Sequence, residues 1–75
     1  MYPARIVLEL TGVNPKRLRA WEELWGLLSP ARSPGNHRRY SESDLPRIRE
    51  IARMLKQGHH LREIQRLLGG DDKEK

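Results

Sequence analysis

Thr11-Gly12-Val13-Asn14-Pro15-Lys16-Arg17-Leu18-Arg19-Ala20-Trp21 is the stretch on which the fold turns. Glycine at 12 stops a helix, because it adopts the left-handed conformation that a C-terminal cap needs. Asn14 then supplies a side-chain acceptor for free N–H groups, and Pro15 fits the first helical position, where its missing N–H costs nothing. Two helices are thus expected around a turn of only three residues, Gly12-Val13-Asn14, which matches a helix-turn-helix in length and chemistry. Such motifs present the start of the second helix to the major groove. Here Lys16, Arg17 and Arg19 fill its first turn and a half.

Working outward, Arg5 to Thr11 has apolar residues at 6, 7 and 10, the spacing of a short helix with one buried face. On the second helix Leu18, Trp21 and either Leu24 or Trp25 form the inner stripe, and Gly26 closes it. Glu22 and Glu23 read as surface charges facing Arg19 at one-turn spacing. The turn-rich run from Ser29 to Asn36 predicts a hairpin about Pro34-Gly35-Asn36, with strands at Leu28–Pro30 and His37–Tyr40. A basic hairpin behind a helix-turn-helix is the wing of a winged helix; a disordered basic loop is the alternative. Ser41 with Asp44 three residues later resembles a capping box and opens a third helix, with Leu45, Ile48, Ile51, Ala52 and Leu55 facing inward. Gly58 ends it, His59-His60 turns the chain, and Leu61, Ile64, Leu67 and Leu68 mark a fourth helix closed by Gly69-Gly70.

The expected architecture is therefore mainly α: a winged helix-turn-helix of four helices with a short two-stranded β-hairpin, occupying residues 1–69. The last residues, 70–75, read as a disordered charged tail. Length and composition agree. Seventy-five residues allow one small domain, and the absence of cysteine excludes disulfides and thiolate metal sites. Fifteen Lys and Arg against ten Asp and Glu leave a net charge of +5. Six of the basic residues fall between Lys16 and Arg39, against only Glu22 and Glu23. A patch of that kind suits a polyanion such as duplex DNA, with an acidic protein partner as the alternative. The longest apolar run, Ile6-Val7-Leu8, is far short of a membrane span. The expected setting is soluble and cytoplasmic.

Catalysis is not expected, because a core this small leaves little room for a pocket in which a nucleophile, a base and an orienting group converge. His37, His59 and His60 are read without partners at ligand spacing, so no metal and no cofactor are expected.

Taken in order, Thr11-Gly12-Val13, Leu18-Arg19-Ala20-Trp21-Glu22, Gly26-Leu27-Leu28-Ser29-Pro30-Ala31-Arg32, Gly35-Asn36-His37-Arg38-Arg39-Tyr40-Ser41, Asp44-Leu45 and Gly58-His59-His60-Leu61-Arg62-Glu63-Ile64 resemble the DNA-binding domain of MerR-family transcription regulators. The resemblance covers about residues 2 to 68. Arg5-Ile6-Val7 and the run from Ser29 to Asn36 look like the glutamine-synthetase and heat-shock repressor branches, GlnR and HspR. Leu18 to Glu22 looks like the light- and cobalamin-linked branch instead.

The resemblance implies sequence-specific binding of promoter DNA, with helix 2 in the major groove, the hairpin as first wing and the turn after helix 3 as second wing. By position it makes Lys16, Arg17 and Arg19 the contacts of the recognition helix. His37, Arg38 and Arg39 would act from the first wing, and His59 and His60 from the second. Ala20 replaces a frequent aromatic of the family and Trp21 the tyrosine that follows it. Family members also carry a long dimerisation helix and an effector domain after helix 4. The chain is accordingly read as the excised DNA-binding domain of a dimeric regulator, monomeric alone; a stand-alone excisionase-like protein that assembles along DNA is the alternative.

Overall fold

The computed structural model describes residues 1–68. The expected tail at 70–75 and the Gly69-Gly70 stop lie outside those residues. Helix α1 spans Ala4–Thr11, α2 Pro15–Glu23, α3 Asp44–Lys56 and α4 Leu61–Leu68; β1 (Ala31–Arg32) and β2 (Arg38–Arg39) form an antiparallel hairpin between α2 and α3. This is the mainly α, four-helix arrangement with one small hairpin that the sequence predicts.

The helix-turn-helix forms for the reasons its residues suggest. Gly12 adopts φ 82°, and its N–H donates to Leu8 O at 2.8 Å, satisfying a carbonyl that the helix end would leave orphaned. Asn14 caps α2: its Oδ1 accepts from the Arg17 N–H at 2.8 Å, with Pro15 opening the helix. Val13, in the turn, is buried with Val7 and Leu18, so the corner is pinned by apolar contact as well.

The core is assembled from Val7, Leu18, Trp21, Ile48, Ile51 and Ile64, joined by Leu27, Leu28 and Tyr40. On α2 the open choice resolves to Trp25, which is partly buried, while Leu24 is 74% exposed. Regular helix stops at Glu23; Gly26 at φ 62° then reverses the chain, so that the Leu27 N–H reaches Trp21 O at 2.9 Å. The carbonyls of this reversal are taken up from afar. Arg47 Nε donates to Leu27 O at 3.2 Å and Gln65 Nε2 to Trp25 O at 2.6 Å, tying α3 and α4 to the end of α2.

Three expectations need correction. The first strand lies at Ala31–Arg32, not Leu28–Pro30: Leu27 and Leu28 drop into the core before the hairpin begins, and Pro30 has no N–H for a ladder. On α3 the buried line is Leu45, Ile48, Ile51 and Met54, with Ala52 and Leu55 only partly covered. The box at the start of α3 is half formed. Asp44 Oδ2 accepts from the Ser41 N–H at 2.8 Å, but the Ser41 hydroxyl pairs with that of Ser43 rather than with a helix N–H.

The hairpin has a ladder of two residue pairs, Ala31 with Arg39 and Arg32 with Arg38. Asn36 takes a left-handed φ of 64° at its tip, which asparagine tolerates, and the Ser33 N–H donates to His37 O at 2.9 Å. Its exit is anchored where Tyr2 and Tyr40 exchange backbone hydrogen bonds of 2.7 and 2.8 Å.

Candidate nucleic-acid interface

The placement of the basic residues on α2 follows from helix geometry. With about 100° between successive residues and Leu18 pointing into the core, Lys16 falls on the outward ridge and Arg17 and Arg19 on its two flanks. All three are exposed. Glu22 lies near the buried line on the Arg19 side, and Ala20 gives the ridge a small residue between Lys16 and Glu23.

Each flank borders a cavity. On one side Arg19 lines a cavity of about 370 Å³ together with His37, Arg38 and Arg39 of the hairpin and Tyr40 beyond it, closed by Pro3, Ala4 and Pro15. Four of the residues predicted from the sequence are thereby brought together from α2 and the hairpin. On the other side Arg17 lines a cavity of about 440 Å³ with Thr11, Gly12, Val13 and, from α3, Ala52, Leu55 and Lys56. Lys56 was not among the residues singled out from the sequence. Its signal was its place four residues after Ala52, on a helix flank that the short turn brings beside α2.

His59 and His60, in the turn between α3 and α4, line neither cavity; His60 borders a separate one of about 620 Å³ with Trp25, Leu61 and Arg66. His59 does have a partner at helical spacing, contrary to expectation. Its Nδ1 lies 3.2 Å from Glu63 Oε2, and this hydrogen bond holds the Glu63 carboxyl below its ordinary value. Among the described residues no group of three or more His, Asp or Glu is arranged to hold a metal ion.

Two acids sit amid this basic surface, and the hairpin claims them. Arg38 donates through Nε to Glu22 Oε1 and through Nη2 to Glu23 Oε2, the latter at 2.5 Å. Arg32 Nη2 reaches Glu22 Oε2 at 3.2 Å, while its Nη1 donates to Asn36 Oδ1 at 3.1 Å. The expected pairing of these acids with Arg19 is replaced by pairing with arginines on the hairpin. Burial pushes the Glu22 carboxyl up, but hydrogen bonds from Arg38 and Arg32 outweigh it and leave the group below its ordinary value. The Arg38 guanidinium is shifted up by the same contact with Glu22.

A basic second helix reached through a capped three-residue turn, with a hairpin folded against its flank, defines a winged helix-turn-helix domain. The chain belongs to the MerR HTH family of regulatory proteins, whose family model matches residues 2–71. It is 39% identical over 74 residues to the HTH-type transcriptional regulator MlrA of Salmonella typhimurium, covering 99% of this chain and 30% of that protein. The GlnR regulator of Bacillus anthracis is 35% identical over 68 residues, covering 91% of this chain and 52% of GlnR. The repressor CarH of Myxococcus xanthus is 34% identical over 67 residues, with 89% of this chain and 22% of CarH aligned. The chain thus spans less than a third of the MlrA and CarH regulators it matches and about half of GlnR. These relatives are named as transcription regulators, not enzymes. No helix among the described residues is long and apolar enough to cross a membrane.

Proposed function

We propose that this domain reads double-stranded promoter DNA in sequence-specific fashion, with α2 in the major groove and the hairpin on the flanking phosphates. The observation that carries the reading is the clustering of Arg19, His37, Arg38 and Arg39 around one cavity beside the start of α2. Side chains on the α2 flank and on the wing can there meet one stretch of backbone. Lys16 and Arg17 stand where base edges would pass, and arginine matches the paired acceptors of guanine O6 and N7. Arg38 keeps one edge of its guanidinium for a phosphate while the other is held by Glu22 and Glu23. His59 and His60 serve as a second wing on the backbone further along.

In the regulator that carries this domain, two copies act as a dimer on a pseudopalindrome in the cytoplasm, and the isolated domain is monomeric. Substitution separates the roles. Arg17→Ala is expected to relax base preference by about 1 to 3 kcal/mol, whereas Arg19→Ala weakens all sequences alike and lowers the salt slope by about one. Competition binding of selected and random duplexes at several salt concentrations measures both. Uniform loss from both substitutions overturns the assignment of Arg17 to base reading.

A further inference from the structure

The hairpin is too small to hold its own position. A two-stranded ladder of this length is marginal in water. Among the described residues the two strands approach each other closely, but no helix packs extensively on them. Buried Leu28 anchors the approach to β1, and the Tyr2–Tyr40 backbone bridge with the buried Tyr40 ring anchors the exit of β2, but these lie outside the strands themselves. The remaining connection to α2 is made of charge: Glu22 accepts from Arg32 on β1 and from Arg38 on β2, and Glu23 holds the far nitrogen of Arg38. Arg38 is only 18% exposed in this clasp, so its contacts are better shielded from salt than ordinary surface pairs.

This clasp presents a paradox for a surface that meets a polyanion, because carboxylates beside phosphates weaken binding. From it we infer that Glu22, backed by Glu23, is a positioning residue. By gripping one arginine on each strand it sets the angle of the wing to the recognition helix, so that Arg19 and the wing residues engage the same backbone only when α2 sits in register with the bases. The inference rests on the DNA-binding reading above and deepens it. Glu22 raises the preference for one sequence over others while lowering attraction to DNA in general.

The test compares Glu22→Gln with Glu9→Gln, a change of equal charge at an exposed position of α1 away from the hairpin. Binding of the full chain is measured to a duplex selected from a random pool by the unaltered protein and to a random-sequence duplex. Amide exchange of Ser33, whose N–H closes the hairpin on His37 O, is followed in the free protein. Glu22→Gln is expected to speed that exchange and to weaken the selected duplex roughly tenfold, as loss of charged hydrogen bonds would. Random duplex is bound as well as before or better. Glu9→Gln should tighten both duplexes slightly and leave the exchange alone. Arg38→Lys, which keeps the charge but loses the two-nitrogen fork, is the second variant and should reproduce the loss of preference.

If Glu22→Gln tightens both duplexes as Glu9→Gln does, Glu22 is merely a repelling charge and the inference is overturned. Unchanged exchange at Ser33 overturns it whatever the DNA results. If exchange responds but the unaltered protein prefers no duplex over another, the DNA-binding reading has failed, and with it the role assigned to Glu22 in selectivity.

Discussion

The helical trunk and the wing are held by different forces. In the trunk, α1, α3 and α4 bring Val7, Ile48, Ile51 and Ile64 together with no exposed surface, and the side-chain hydrogen bonds that join them, such as Arg49 Nη2 to Leu10 O, end on neutral backbone carbonyls. In the wing, two ladder pairs and a hydrogen-bonded tip are tied to α2 by guanidinium and carboxylate groups drawn from residues ten to sixteen apart in the chain. Apolar burial has no charge to screen or to titrate, whereas charge pairs are weakened by ionic screening and lost when their carboxylates take up protons in acid. The trunk therefore acts as a fixed mount and the wing as its adjustable part.

The comparison breaks most sharply at the trunk. Ile51→Ala deletes a fully buried side chain and is expected to cost about 2 to 5 kcal/mol, lowering the midpoint of denaturant unfolding for every probe together. Arg38→Ala should behave differently. Its effect on global stability is about 1 kcal/mol, while exchange in the hairpin rises far more than exchange in α3, because the wing loosens without the trunk. Equal loss in both regions would contradict the division.

Tyr40 joins the two regions. It leaves β2 and is wholly buried in the core, and its hydroxyl has no hydrogen-bond partner among the described residues. Burial accordingly pushes its pKa up. Tyr40→Phe keeps the ring and removes the unpartnered hydroxyl, so thermal unfolding should show an unchanged or slightly higher stability, by about 1 kcal/mol at most.

A smaller effect is expected from pH. The Glu22 carboxyl is depressed below its ordinary 4.5 in the folded chain, so the stability it contributes is complete above about that pH. It is lost as pH falls through the lower folded value. Carboxyl carbon shifts should show Glu22 titrating below 4.5, with Arg38 Nε responding at the same midpoint.

How much of this was legible depended on the range of the interaction. Gly12, Asn14 and Pro15 act through their own backbone or one turn away, and the structure has them doing what their chemistry suggests. The inner stripe of α3 reads along 45, 48, 51, 52 and 55, but burial follows 45, 48, 51 and 54 instead, because α3 packs against both α1 and α4 and periodicity alone does not say which edge of the stripe they cover. Leu27 reads as the approach to a strand and Leu28 as its first residue, because their burial depends on a core assembled from segments distant in the chain. The clasp of Glu22 and Glu23 on Arg38 spans up to sixteen residues and leaves no periodic trace. At the interface, helical spacing sufficed to put Lys16, Arg17 and Arg19 on the outer face of α2. That Arg19 shares a cavity with the wing while Arg17 shares one with Lys56 is a property of tertiary packing.

The most direct test of the account is a titration of the chain with duplex DNA at about 50 and 200 mM salt, following backbone amide shifts residue by residue. The account predicts shifts concentrated on Lys16 to Ala20, His37 to Arg39 and His59 to His60, weakening steeply at the higher salt. Shifts absent at the lower salt, or gathered on α1 and the outer face of α4, would contradict it.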